Sequence, residues 1–163
     1  MSVTFESLAE VHRRPVMDIF NHYIENGYAA FPEHRMPYEF FDMFLNMTRG
    51  YPAVAVLSGD GEVVGFGFLR AYNPMPAFRK TAEFTCFLRP DMTRDGIGRR
   101  TLVHLESEAK KLSISILLAA ISSRNTASIA FHEKNGFIRC GTFAGIGTKF
   151  GTDFDVVWMQ KNI

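Results

Sequence analysis

The sequence predicts one α/β domain of the α+β kind: a mixed, mostly antiparallel central sheet with helices on both faces. Three observations carry this. At 163 residues, with 47% hydrophobic and 21% charged content, the chain has apolar material for one full core and too little polarity for disorder. Strand-length apolar stretches and segments of helical period follow one another in the order β-α-α-β-β-β-α-β-α-β-β. The middle three strands have no helix between them, and parallel neighbours need crossover connections, so a purely parallel sheet is excluded. No repeat, linker or low-complexity stretch divides the chain, so residues 1–163 are expected to form a single domain.

Residues 3–8 make a short first strand. Pro15 suits the opening turn of a helix that sets Val16, Ile19, Phe20, Tyr23 and Ile24 on one face, and Gly27 ends it. The stretch 28–37 has two prolines and no period, so it is a loop, with His34 and Arg35 available to substrate or solvent. A second helix over 38–47 buries Phe40, Phe41, Phe44 and Leu45 and stops before Gly50. Strands at 53–57 and 62–70 flank Ser58-Gly59-Asp60-Gly61, a hairpin signal, while Gly65 and Gly67 thin the second strand as a bulge or a close neighbour would require. After a Pro-containing connection at 71–78 comes a strand at 80–88. A helix from Gly96 to about Leu112 follows, with Leu102, Leu105, Ala109 and Leu112 in one stripe. The apolar run 115–121 is typical of a strand buried on both faces. Asn125 caps a helix over 126–135, closed by a left-handed Gly136 with Phe137 as its hydrophobic contact. Residues 138–143 and 154–160 supply the last two strands.

A formal net charge of +1 and a pI of about 7.8 create no global field toward nucleic acid or an anionic membrane, and neither is an expected partner. No apolar run approaches the ~20 residues of a membrane span. The first residues lack the basic and apolar regions of a signal peptide, so a cytoplasmic protein is expected. Cys86 and Cys140 lie in strand-like segments and are expected to be buried, reduced thiols. Sixteen phenylalanines point to an aromatic core. No metal site is expected.

The chemistry concentrates after Glu83, where a strand stops at Pro90, a polar loop carries Gly96 and Gly98, and a helix starts at once. Backbone N–H groups at a helix start have no intrahelical partner and point along the positive end of the dipole, so they can hold phosphate oxygens. A phosphate-bearing cofactor at Arg94, Asp95, Gly96, Ile97, Gly98 and Arg99 is the resulting expectation; the alternative is an ordinary helix start with glycines for close packing. A dinucleotide fingerprint would need a third glycine where Thr101 stands, so that reading fails.

Gly96-Ile97-Gly98 on a strand-to-helix turn, the Asn-capped segment Asn125-Thr126-Ala127-Ser128-Ile129-Ala130-Phe131-His132, and Gly147-Thr148-Lys149-Phe150-Gly151 before Asp155-Val156-Val157-Trp158 together resemble the GNAT family of acyl-CoA N-acetyltransferases. The resemblance is strongest to the phosphinothricin and methionine sulfone or sulfoximine acetyltransferase branch. It covers nearly the whole chain and implies the GNAT fold, with acetyl-CoA as co-substrate. It further implies that Cys86, Phe87 and Leu88 run beside the pantetheine arm, that residues 94–99 wrap the pyrophosphate, and that Asn125 and Ser128 contact the CoA further along. Thr93 departs from the Arg or Gln usual in the family three residues before the first glycine.

The resemblance also places Glu83 as the base that takes a proton from the attacking amine, directly or through water. The competing role is a Glu paired with Arg79 or Lys80. His132 stands where many family members carry a tyrosine acid, which suggests protonation of the departing thiolate or relay of a proton; otherwise it is a packed surface residue. A backbone N–H near Phe87 would polarise the thioester carbonyl. Asn73, Met75, Phe78, Arg79, Phe84 and Thr85 are the expected acceptor contacts. Asn73 and Met75 fall where amino-acid-analogue enzymes carry arginines suited to a carboxylate, so that specificity does not simply carry across, while Arg79 remains a candidate anion partner. Phe78 replaces a usual tyrosine and Asp153 a common tryptophan. The leading expectation is direct acetyl transfer to the primary amine of a small molecule in a ternary complex. A catalytically silent CoA-binding module and a peptide or protein N-acetyltransferase are the alternatives. Sheet edges and an exposed Phe-rich second helix offer surfaces for a homodimer.

Overall fold

A computed structural model describes residues 2–163. In chain order the elements are β1 (Val3–Ser7), α1 (Arg13–Glu25), α2 (Phe41–Met47), β2 (Ala53–Ser58), β3 (Val63–Ala71), β4 (Thr81–Leu88), α3 (Ile97–Lys111), β5 (Ile116–Ser122), α4 (Thr126–Lys134), β6 (Ile138–Lys149) and β7 (Thr152–Asn162). The strands form one seven-stranded sheet in the order β1-β2-β3-β4-β5-β7-β6. Every pairing is antiparallel except β4 with β5, which the α3 crossover joins.

Alternation along β3 and β4 sorts their side chains onto two faces. Phe66 and Phe68 join Val16, Phe20, Ile24, Phe41 and Phe44 under α1 and α2. Leu69, Ala82 and Phe84 join Leu102, Leu105, Ala109, Ile129 and Phe137 under α3 and α4. The phenylalanines of α2 are therefore core: Phe41 and Phe44 are buried, and the exposed aromatic surface expected of that helix does not exist. Both glycines of β3 make room. A Cβ on Gly67 would stand 2.8 Å from Thr101 Cγ2 of α3, and one on Gly65 would stand 2.5 Å from Leu88 Cδ2. The register of β2 against β3 also shifts between Val56 and Leu57, so a bulge and a close neighbour are both present.

Three expectations need correction. β5 alternates buried and half-buried residues rather than being covered on both faces: Leu117, Ala119 and Ile121 meet the α3 side, while Ile116, Leu118 and Ala120 on the other face stay partly open. The last hairpin is longer than the apolar runs suggested, because β6 continues through its glycines to Lys149. Cys140 is exposed, since β6 is an edge strand; both cysteines are free.

Candidate functional site

The pairing of β4 with β5 covers only Thr81 with Ile116, Ala82 with Leu117 and Glu83 with Leu118, whereas β4 keeps its β3 partners through Leu88 opposite Gly65. From Phe84 onward β4 thus has one free edge, and the sheet opens between its two central strands. The backbone groups in that opening follow from strand alternation. The carbonyls of Thr85 and Phe87 lie against the β3 glycines, and Arg89 N–H donates to the Val64 carbonyl at 2.8 Å, so residues 85, 87 and 89 face β3. Phe84, Cys86 and Leu88 then direct their N–H and C=O into the opening. One of these groups is taken: the Tyr23 hydroxyl donates to the Leu88 carbonyl at 2.6 Å.

Side chains divide the predicted residues differently. Cys86 points toward α3, where burial pushes its thiol up to about 12 against a weaker lowering by the Thr101 hydroxyl, so it is no nucleophile. Phe87 lies on the opposite face, with its ring centroid 5.4 Å from that of Phe20 and 5.3 Å from that of Tyr23. Phe84 was expected to touch the acceptor, but its side chain is buried among Leu102, Phe137 and His132 on the far side of the sheet from Glu83. Only its backbone reaches the opening. Thr85 shares the Glu83 face by alternation.

Glu83 is the last β4 residue paired to β5, which puts it at the apex of the opening. Its partner is neither Arg79 nor Lys80. Arg70, directly opposite on β3, donates through Nε at 2.9 Å and Nη2 at 2.5 Å, both to Oε2. Among the described residues no group donates to Oε1. The Glu83 side chain is 14% exposed.

Beyond β4 the chain turns through a loop in which Arg94 and Gly96 both hold positive φ, +75° and +74°. Gly96 precedes the first residue of α3, and the next positions are exposed or half-exposed except Ile97, whose side chain is buried against Val3, Val56 and Val64. Ile97 can therefore serve a ligand only through its backbone. Gly98 is needed for close approach: a Cβ there would lie 3.2 Å from the Phe131 ring of α4. Backbone N–H groups at this helix start, with the Arg94 and Arg99 side chains exposed beside them, suit a pyrophosphate. Asn125 caps α4 by accepting from Ser128 N–H at 3.2 Å.

His132 does not have the proton its expected acid role requires. Its Nδ1 lies 2.7 Å from the Ser128 carbonyl, which only accepts, so Nδ1 carries the hydrogen. Nε2 is then a bare lone pair, buried with no partner among the described residues. Burial holds the imidazole below its ordinary range, against a smaller opposite pull from the Ser128 carbonyl, and favours the neutral ring. Phe84, Phe131 and Phe137 surround the ring, which in this tautomer has no proton on Nε2 to give to a thiolate.

On the acceptor side, Asn73 spends its side-chain oxygen on the Met75 N–H at 2.9 Å, a local turn. Met75 is exposed, and Phe78 leans on Tyr72, which in turn meets Trp158 of β7 edge-on at 6.3 Å. Arg79 makes no ion pair among the described residues. Sequence reasoning missed Arg70, the Tyr72 and Trp158 contact, and Lys149. The last is buried and donates to the carbonyls of Gly27 at 2.6 Å and Ala30 at 2.7 Å, while Phe150 N–H donates to Glu33 at 2.7 Å. With Phe31 stacked on Phe154 at 5.8 Å, the 27–33 loop and the β6–β7 hairpin form one joined wall.

Known proteins share this fold. The methionine sulfoximine/methionine sulfone acetyltransferase of Pseudomonas aeruginosa is 34% identical over 115 residues, covering 71% of this chain and 67% of that protein. A ribosomal-protein-alanine N-acetyltransferase from Brucella melitensis superposes with a TM-score of 0.90 at 31% identity, covering 98% of this chain and 99% of that one. A phosphinothricin acetyltransferase from Sinorhizobium meliloti, solved in complex with acetyl-CoA, superposes with a TM-score of 0.92 at 26% identity, covering 100% and 89%. Residues 16–137, from α1 through α4 to Phe137 and so including the opening and the glycine loop, match the profile of the Acetyltransferase (GNAT) family, and the chain belongs to that family.

Proposed function

We propose that this enzyme moves the acetyl group of acetyl-CoA to the primary amine of a small molecule of the amino-acid-analogue class, by direct attack in a ternary complex. The observation that carries the reading is Glu83 at the apex of the β4–β5 opening, with no donor to Oε1 among the described residues. Acetyl-CoA supplies an activated thioester. The backbone groups of Phe84, Cys86 and Leu88 offer hydrogen bonds to its pantetheine arm, and Arg94, Gly96, Gly98 and Arg99 frame its pyrophosphate. The amine nitrogen attacks the acetyl carbon as the carbon–sulfur bond breaks, Glu83 Oε1 accepts the amine proton, and solvent protonates the thiolate. A base matters because an α-amino group at pH 7 is roughly one unit below its pKa and a lysine-like amine more than three. An oxyanion contribution falls to the backbone N–H groups of the opening, with Phe87 itself turned toward β3.

The joined wall of the 27–33 loop and the β6–β7 hairpin favours a small acceptor over an extended chain. Acetylation of a protein N-terminus is the second reading, favoured by the name of the Brucella neighbour. Thiol release from acetyl-CoA separates them: amino-acid analogues such as methionine sulfone turn over and peptides with a free N-terminus do not. Turnover of peptides alone overturns the first reading, and no turnover with any amine despite CoA binding leaves a silent binding module. The expected setting is the cytoplasm. A homodimer is the expected assembly, with the exposed Ile138, Phe143 and Ile146 of edge strand β6 as the favoured surface and sedimentation as its test.

A further inference from the structure

Arg70 and Glu83 are directly opposite in an antiparallel pair, and their contact has an unusual form. A guanidinium edge and a carboxylate normally meet as two parallel bonds, one N–H to each oxygen. Here Nε and Nη2 converge on Oε2 alone, at 2.9 and 2.5 Å. An ion pair built for stability gains more from the two-oxygen form, and this pair is partly solvated besides, with the Arg70 side chain 43% exposed, so its stabilising value is small. The one-oxygen form does something else. It fixes the carboxylate plane from one side and leaves the second oxygen with no donor among the described residues, on the residue where β4 parts from β5.

We infer that Arg70 is a positioning residue for the transfer reaction: it holds Oε2 so that Oε1 faces the acceptor amine, and it keeps Glu83 from turning both oxygens away from the opening. This rests on Glu83 being the base. Arg70 acts through Glu83 and need not touch the acceptor. A lysine in its place would keep the charge as a single point but lose the planar fork that fixes the carboxylate's rotation.

The test is a double-mutant cycle on steady-state transfer from acetyl-CoA to L-methionine sulfone, or to the fastest amine of the panel above. Arg70→Met is expected to lower kcat about tenfold or more, with acceptor KM within about twofold, because an orientation lost in the transition state is read in kcat. Arg70→Lys recovers part of the loss. In the Glu83→Gln background, Arg70→Met adds no further loss, since a residue that acts through another contributes nothing once that one is gone. Acetyl-CoA affinity by calorimetry stays at the parent value in each variant, which separates misfolding from misalignment, and Arg70→Gln substitutes should the methionine variant not fold. A multiplicative loss in the double variant, a raised acceptor KM at unchanged kcat, or an unchanged Arg70→Met rate each overturns the inference. An unchanged Glu83→Gln rate overturns the base itself, and so fails both readings by a different result.

Discussion

Replacing Glu83 by glutamine changes one atom and removes the proposed base. In this structure the amide has little choice of orientation. Both Arg70 donors converge on one oxygen, so the amide oxygen takes the Oε2 place and the NH₂ falls where Oε1 was. That group donates and has no lone pair for an ammonium proton. Removing a positioned base costs about 10² to 10⁴ in rate, or about 2.7 to 5.5 kcal/mol at 1.36 kcal/mol per tenfold. The change in stability is small by comparison, within about 1 kcal/mol for a partly exposed pair, and acetyl-CoA binding is unaffected because Glu83 lies beyond the loop and the unpaired β4 edge. Thiol release at saturating acetyl-CoA reads the loss. The variant should also gain relative rate as pH approaches the acceptor's own pKa, since solvent then supplies the neutral amine. An unchanged kcat at pH 7, or a loss that appears only in acetyl-CoA affinity, would refute the reasoning.

Other perturbations follow from the same geometry. Gly98→Val puts a branched side chain where a single Cβ already comes within 3.2 Å of Phe131, so the start of α3 shifts. At an overpacking cost of about 1–3 kcal/mol, acetyl-CoA should bind roughly five- to 150-fold more weakly by calorimetry. His132 is neutral in the fold and its pKa is depressed from 6.5, so the unfolded chain binds more protons below that value and stability is lost as pH falls from 6.5 toward the native pKa. His132→Phe should flatten that part of the stability curve, followed by denaturant melts, and leave kcat within about tenfold, because the Nδ1–H tautomer has no Nε2 proton to give a thiolate. Lys149→Met orphans the Gly27 and Ala30 carbonyls. Each bond from a charged donor is worth about 1.5–3 kcal/mol, partly offset by relief of a buried ammonium, so a net loss of about 2 kcal/mol is expected in thermal unfolding, with a raised acceptor KM as the 27–33 wall loosens.

Much of this could be read from residue pattern because the signals were local. The Phe20, Phe41 and Phe44 faces, the Asn125 cap, the left-handed Gly136 and the paired β3 glycines each obey a rule that spans a few residues. The GNAT resemblance came from order and spacing. What was not legible needed registry between distant strands. Arg70 is 13 residues from Glu83, and only the β3–β4 register, set across an irregular connection, makes them partners in place of Arg79 or Lys80. Phe84 was expected at the acceptor; alternation sends its side chain to the face opposite Glu83, and fixing which face carries which function takes the helices as well as the strand. His132 looked catalytic by position, yet a helix backbone carbonyl one turn back decides its tautomer. The thin glycines of β6 masked a 12-residue strand because an edge strand needs no alternating apolar face.

Acetyl-CoA is expected to lie in the opening between β4 and β5, with its reactive end at Glu83. A crystal structure with CoA and an inert acceptor analogue tests it most directly. The expected result is the pantetheine arm along the free edge of Phe84, Cys86 and Leu88, the pyrophosphate on the N–H groups around Gly96 and Gly98, and the sulfur at the Glu83 end with the analogue's nitrogen near Oε1. CoA bound on another face, or lying in the opening with its sulfur directed away from Glu83, would contradict it.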